Sequence, residues 1–443
     1  MTAKQNTAAE QQRIDIQSNA WRKWGPYLGE RQWGTVREDY SVDGEAWDYF
    51  THDHSRSRAY RWGEDGIAGF SDNNQQLCLG LALWNGQDAI LKERLFGLTN
   101  TQGNHGEDVK ELYYYLDATP SHSYLKMLYK YPQQAFPYSE LIEENARRGK
   151  TDPEYELLDT GLFDDNQYFD VFVEYAKSDA DDILMRITAY NRASQLAPLH
   201  ILPQLWCRNT WDWGYDEARP SLSASEGHSI SIAHNKLGNY YCYFDGTSEL
   251  LFCDNDTNTP KLYAKETPGY FKDGFHEAVI NGQQQAVNPD QQGTKACGHY
   301  TFTVPSNEKI EVRLRLSKKK HKQAFSDFDQ IFARRLHEAD AFYSQLQKEL
   351  ADDEVRMIQR QAFAGMIWSK QFYYYDIPQW QNGDPGQPKP SSERRKIRNT
   401  NWQHLNNADI ISMPDKWEYP WYASWDLAFH CITLAVIDPT FAK

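Results

Sequence analysis

A β-sandwich followed by a group of helices is the fold class that this 443-residue sequence predicts. Three observations point there: repeated alternation of apolar and polar residues from about 60 to 316, turn clusters between those runs, and a change of period near Phe325. Alternation at period two places every second side chain on one face of a strand, whereas apolar residues three and four apart form the stripe of an amphipathic helix.

FDVFVEY puts Phe169, Val171, Val173 and Tyr175 on one face, and DILMRITA does the same with Ile183, Met185, Ile187 and Ala189. KIEVRLRL alternates Ile310, Val312, Leu314 and Leu316 with Glu311, Arg313 and Arg315. NGQD at 85, DGTSE at 245, DNDTNTP at 254 and NGQQQ at 281 supply the turns between strands of a large antiparallel sandwich. From there Phe325, Phe328, Phe332, Leu336, Ala339, Tyr343, Leu346 and Leu350 trace a helix over about 326–350. With Asp352 and Asp353 as a cap, Val355, Ile358, Ala362 and Met366 carry the same spacing on toward KQFYYYD, a helix over about 353–372. The irregular QWQNGDPGQPKPSSERRKIRNT, 379–400, reads as a long functional or disordered loop. A last helix starts near Ser424 and halts at Asp438-Pro439. The expected organisation is a polar tail over 1–20, a sandwich domain over 21–320 and a helical domain over 321–443.

Composition narrows the function classes. The chain is 40% hydrophobic and 25% charged, ordinary globular values, and no run of about 18 apolar residues is present to span a bilayer. A net charge of −15 repels phosphate backbones, and only KKKHK at 318–322 and ERRKIR at 393–398 are densely basic, so nucleic acid is not the expected partner. The N-terminal MTAKQNTAAEQQRIDIQ has no apolar core of a secretory signal. Cys78, Cys207, Cys242, Cys253, Cys297 and Cys431 are scattered without zinc-ligand spacing, as expected of thiols in a reducing cytoplasm. No phosphate-cradling glycine loop occurs, so no nucleotide cofactor is expected. The 15 Trp, 28 Tyr and 20 Phe suit either a ring-rich core or the stacking faces of a sugar site.

Within WEYPWYASWDLAFH, 417–430, the rings of Trp417, Tyr419, Trp421, Tyr422 and Trp425 surround one short acid, Asp426. Two readings compete. Ser424 or Asp426 caps the helix, where a carboxylate near the positive end of the dipole stabilises by roughly 0.3 to 1 kcal/mol. Alternatively the rings exclude water and hold a catalytic carboxylic acid in its protonated form. YRWGEDG, 60–66, and GNHGEDVKE, 103–111, gather Arg61, Glu64, Asp65, His105, Glu107, Asp108 and Lys110 among glycines, as a sugar-binding loop or a salt-bridged turn would. Asp254, Asp256 and Asn258 have the first spacings of a calcium loop, but Thr259 stands at the turn glycine and Lys265 at the closing acid, so no metal is expected. His52 and His54 read as a surface loop.

DGIAGFSDNNQQLCLGLALWNGQDAILKERLFGLTNTQGNHGEDVKELYYYLDATPSHSYLKMLYKYP, 65–132, together with WYASWDLAFH, 421–430, resembles the bacterial members of glycoside hydrolase family 63, related to processing α-glucosidase I. The resemblance spans most of residues 20–443. It implies a sandwich packed on an (α/α)₆ toroid and hydrolysis of an α-linked glucoside or related glycoside with inversion. Asp426 falls where that family places its general acid, with Trp421, Tyr422, Trp425, Arg61, Glu64, Asp65, His105, Glu107 and Asp108 as substrate-binding candidates. The family's base lies far downstream of its acid, and one helix past Asp426 cannot complete a ring of six hairpins. The expectation is therefore a chain with an incomplete toroid, lacking the base. An inverting phosphorylase and a non-catalytic carbohydrate-binding protein are the alternatives.

Overall fold

The computed structural model describes residues 3–15, 20–31, 51–98, 101–104, 109–215, 217–246, 248–396, 400–413, 416 and 422–443. Two antiparallel sheets dominate it. One runs Trp24–Gly25, Ile67–Asp72, Leu77–Trp84, Ala197–Cys207, Lys295–Val304 and Glu249–Cys253 in that order. The other runs Gln292–Gly293, Ser221–Ser225, Ser229–His234, Gly238–Phe244, Lys309–Ser317, Asp182–Asn191, Tyr168–Asp179, Tyr124–Pro132 and Tyr113–Ala118.

The register explains how alternation becomes a core. Val173 pairs with Ile187, which pairs in turn with Val312, so a row of β-branched side chains crosses three strands on one face. These residues share one buried cluster with Leu79, Leu81, Leu83, Leu199 and Ile201 of the other sheet, which makes the pair a sandwich. Phe70 stacks on Tyr175 across the gap at 4.6 Å, and the Tyr175 hydroxyl donates to the Ala68 carbonyl at 2.8 Å. The opposite faces are covered separately. Ala82, Leu202 and Leu251 meet Phe275 and Ala278 of the short helix Gly274–Val279. Tyr124, Ala176 and Leu184 meet Phe328, Ile331, Phe332 and Ala339 of the helix Phe328–Leu346.

That helix does not present the whole stripe expected for it. Leu336 is exposed, and Arg335 takes the buried position, donating to the Lys177 and Ser178 carbonyls at 2.6 and 3.0 Å and to Glu338. The polar segment at the N-terminus contributes the helix Ala3–Asp15, which packs along it. Glu10 accepts from Ser121 and Ser123, and Arg13 pairs with Glu338. Asp352 caps the next helix, Asp353–Trp368, by accepting from Glu354 and Val355. Arg360 ties that helix to Asp117 on a sheet strand and to Asp340.

This helix stops at Trp368, and the expectation that it runs on to about 372, into KQFYYYD, is corrected. Lys370–Asp376 is a strand paired with Asn406–Ser412. Four consecutive aromatic residues, Phe372 to Tyr375, favour an extended backbone that sends neighbouring rings to opposite faces. The segment expected as a loop over 379–400 begins inside the helix Ile377–Asn382, and Ser392–Arg395 forms a 3₁₀ turn.

The helix Ser424–Ile437 buries Leu434 and Ile437 with Phe363, Ala364 and Ile367 in the main core. Its other side leaves Trp425, Phe429, Ile432 and Val436 exposed by 74, 69, 71 and 55%. Their spacing of four, three and four makes them one stripe. Val355 and Ile358 are exposed as well. An uncovered apolar face of this kind drives association. The 443-residue chain is expected to self-associate at micromolar concentration, and Phe429→Lys with Ile432→Lys is expected to return it to a monomer by light scattering. A monodisperse parent chain would contradict this.

Candidate active site

Asp426 lies in the first turn of Ser424–Ile437, half-buried. Ala423 occupies the N-cap position, so neither Ser424 nor Asp426 caps this helix through its side chain. Among the described residues the Asp426 carboxylate has no hydrogen-bond or ion-pair partner. His430, one turn further on, has Nδ1 2.9 Å from Ser412 Oγ. Burial pushes the His430 imidazole down, and Asp426 pulls it up. Tyr422 packs on Tyr373 with centroids 5.7 Å apart, while Trp425 faces solvent. Trp417, Tyr419 and Trp421 lie outside the described residues. Just before them, buried Lys416 donates to the carbonyls of Pro26 and Leu28 at 3.1 and 2.6 Å, tying this segment to the sandwich.

Glu64 and Asp65 go into the interior. Glu64 accepts from Trp206 Nε1 at 3.0 Å and Asn255 Nδ2 at 3.2 Å. Asp65 accepts from the Tyr60 hydroxyl at 2.7 Å and Arg94 Nε at 3.1 Å. Lys295 pairs with Glu93 at 2.5 Å, and Lys272 donates to the Arg58 carbonyl with its ammonium 3.4 Å from the Tyr60 ring centroid. The void they enclose is only about 10 Å³, room for about one water and not for a sugar. Burial pushes the Glu64 carboxyl up, against the pull of Lys272, and brings the Lys272 ammonium down to about 7.

Burial alone would raise Glu93 as well, but Lys295 and Arg94 outweigh it and hold the carboxyl at about 2. A carboxyl depressed in the folded state from the ordinary 4.5 contributes stability that is complete above 4.5 and is lost as pH falls toward 2. The loss across that window is on the order of 3 kcal/mol. Urea denaturation from pH 6 to pH 2.5 should show Glu93→Gln with a shallower acid limb than the parent; equal limbs would contradict it.

Arg61 points the other way. Its Nε and Nη2 donate to the two oxygens of Asp384 at 2.5 and 2.9 Å, a bidentate pair between residues 323 apart in sequence. The guanidinium lies 3.5 Å from the Trp213 ring centroid and 4.1 Å from that of Trp62. Asp384 also accepts from Gln379 at 2.7 Å. Gly386 N–H donates to the Trp213 carbonyl at 2.8 Å. A Cβ on Gly214, whose φ is +83°, would stand 2.5 Å from Gly386 N, so glycine is required where the two segments touch. Together these contacts shape a cleft of about 810 Å³ between sandwich loops and residues 379–394. Asp426, Tyr422 and Trp425 are not among its walls.

The other candidates separate. His105, Glu107 and Asp108 lie outside the described residues. Glu111, next to them in sequence, is buried against Lys92 at 2.9 Å. Asp254 and Asp256 share Arg219 at 2.9 and 2.7 Å, and Asn258 caps Thr259–Tyr263, which gives all three side chains work without a cation. His52 lies on a short helix, stacked on Tyr138. Asp384, Trp213 and Lys416 escaped the sequence reading. The one available signal was NGDPG, which marks a turn but not its partner.

No family model matches the chain. It is 48% identical over 472 residues to the uncharacterized protein YMR196W of Saccharomyces cerevisiae, a match covering 96% of this chain and 43% of that protein. The chain thus spans less than half the length of that relative. Among solved structures, a protein provisionally assigned as a kojibiose phosphorylase from the human microbiome aligns with TM-score 0.25 and 10% identity, over 78% of this chain and 38% of its own. A family GH92 inverting mannosidase from Bacteroides thetaiotaomicron aligns with TM-score 0.23 and 10% identity, over 63% and 39%. Likeness at this level leaves the assignment to the residues.

Proposed function

We propose that the protein is a carbohydrate-active enzyme, an inverting glycoside hydrolase acting on α-linked glycosides, in which Asp426 protonates the leaving oxygen. The observation that carries this reading is the Asp426 carboxylate, without a hydrogen-bond or ion-pair partner among the described residues, on the helix that the family 63 resemblance assigns to the general acid. A structural cap would have spent its oxygens on the N–H groups of its own turn. Inversion needs a second carboxylate roughly 6.5 to 9.5 Å from the first, to activate a water on the far side of the sugar. Glu64 and Asp65 are consumed by buried partners. The base is therefore assigned to the length by which the yeast relative exceeds the matched region, as is the rest of the helical toroid that residues 321–443 begin. Uncovered Phe429, Ile432 and Val436 on Ser424–Ile437 support this division, since helices of such a ring bury that face against their neighbours. Trp421, Tyr422 and Trp425 are assigned to the sugar site beside the acid. The free state of all six cysteines supports a reducing, cytoplasmic setting.

The test is hydrolysis of α-glucosides and α-mannosides by the 443-residue chain and by a form extended to the relative's length. The extended form is expected to turn over without phosphate, and the shorter chain is expected to be inert. Phosphate-dependent cleavage would move the assignment to a phosphorylase, and an inert extended form would refute it.

A further inference from the structure

We infer that the cleft beside Arg61 is a binding site for a neutral oligosaccharide, separate from the Asp426 turn. Its volume of about 810 Å³ lies inside the roughly 300 to 1,000 Å³ range of small-molecule sites, enough for two or three sugar rings. Tyr263, largely exposed, and Phe271 offer ring faces, and a pyranose stacks its CH-bearing face on such rings. The wall chemistry selects against charge. Arg61 is matched by Asp384, Asp256 by Arg219, and Arg394 lies over the Trp380 ring while donating to the Trp380 carbonyl. Lys265 and Asp212 also line the cleft, without an ion pair among the described residues, and their opposite signs leave no one-sided charge for a ligand to answer.

Asp212 and Gln387, both exposed in the same walls, offer a carboxylate and an amide with which sugar hydroxyls, which accept as well as donate, can hydrogen-bond. The Arg61–Asp384 pair and the Gly214–Gly386 contact hold both walls before the ligand arrives, which lowers the ordering cost of binding. This inference rests on the carbohydrate reading above but not on the role of Asp426.

The experiment is calorimetric titration of the 443-residue chain with maltotriose, α-mannotriose and glucose 6-phosphate. One of the neutral trisaccharides is expected to bind. Tyr263→Ala and Gln387→Ala, both at exposed positions, are expected to weaken it about tenfold each with unchanged thermal midpoints. Asp426→Asn is expected to leave it unchanged. Binding of glucose 6-phosphate alone, binding indifferent to both cleft variants, or no binding of either trisaccharide would overturn the inference. Loss of hydrolysis in the extended protein with this binding intact would count against the glycosidase reading only.

Discussion

Asp426→Asn is expected to lower the turnover of unactivated α-glycosides by on the order of 10² to 10⁴ in the protein extended to its relative's length, while largely sparing aryl glycosides. The asymmetry follows from the leaving group. An alkoxide must be protonated as the glycosidic bond breaks, whereas a nitrophenolate departs without help. Asparagine keeps the size of the side chain and removes the proton. The substitution disturbs no hydrogen bond or ion pair among the described residues, and the thermal midpoint should stay in place. Equal losses on both substrate types, with a lowered midpoint, would show Asp426 to be structural.

Arg61→Met is expected to destabilise the fold by on the order of 3 kcal/mol. Arg61 and Asp384 are both largely buried, with side chains 13 and 7% exposed. Removing the guanidinium leaves a carboxylate answered by the neutral groups of Gln379 and Tyr215, and strips the cation from between Trp62 and Trp213. The second substitution Asp384→Leu should recover much of the loss, since the stranded charge and not the missing attraction is the main cost. Urea midpoints of the two single variants and the double variant measure the coupling. A loss below about 1 kcal/mol in Arg61→Met would place the pair with ordinary surface ion pairs.

Much of the sandwich was legible because its signal is local. The alternation in FDVFVEY and DILMRITA is the same alternation that the register converts into rows of core side chains. Asp352 was legible for the same reason, because a cap acts within its own turn. KQFYYYD was not, since a helical stripe led into it and only its pairing with Asn406–Ser412 decides for a strand. The loop YRWGEDG shows the limit most clearly. Arg61, Glu64 and Asp65 stand within five residues, yet the chain turns Arg61 into an open cleft and the two acids into a sealed network with Arg94, Trp206 and Asn255. Asp384, 323 residues away in sequence, determines what Arg61 does, and no spacing rule connects them.

The stereochemistry of the first product formed tests the central claim most directly. In proton NMR of an α-linked disaccharide mixed with the extended protein, the β-anomer of the released sugar should appear first and then mutarotate toward equilibrium. Initial release of the α-anomer would mean retention through a covalent intermediate, and would contradict a lone proton donor at Asp426 working with a distant base.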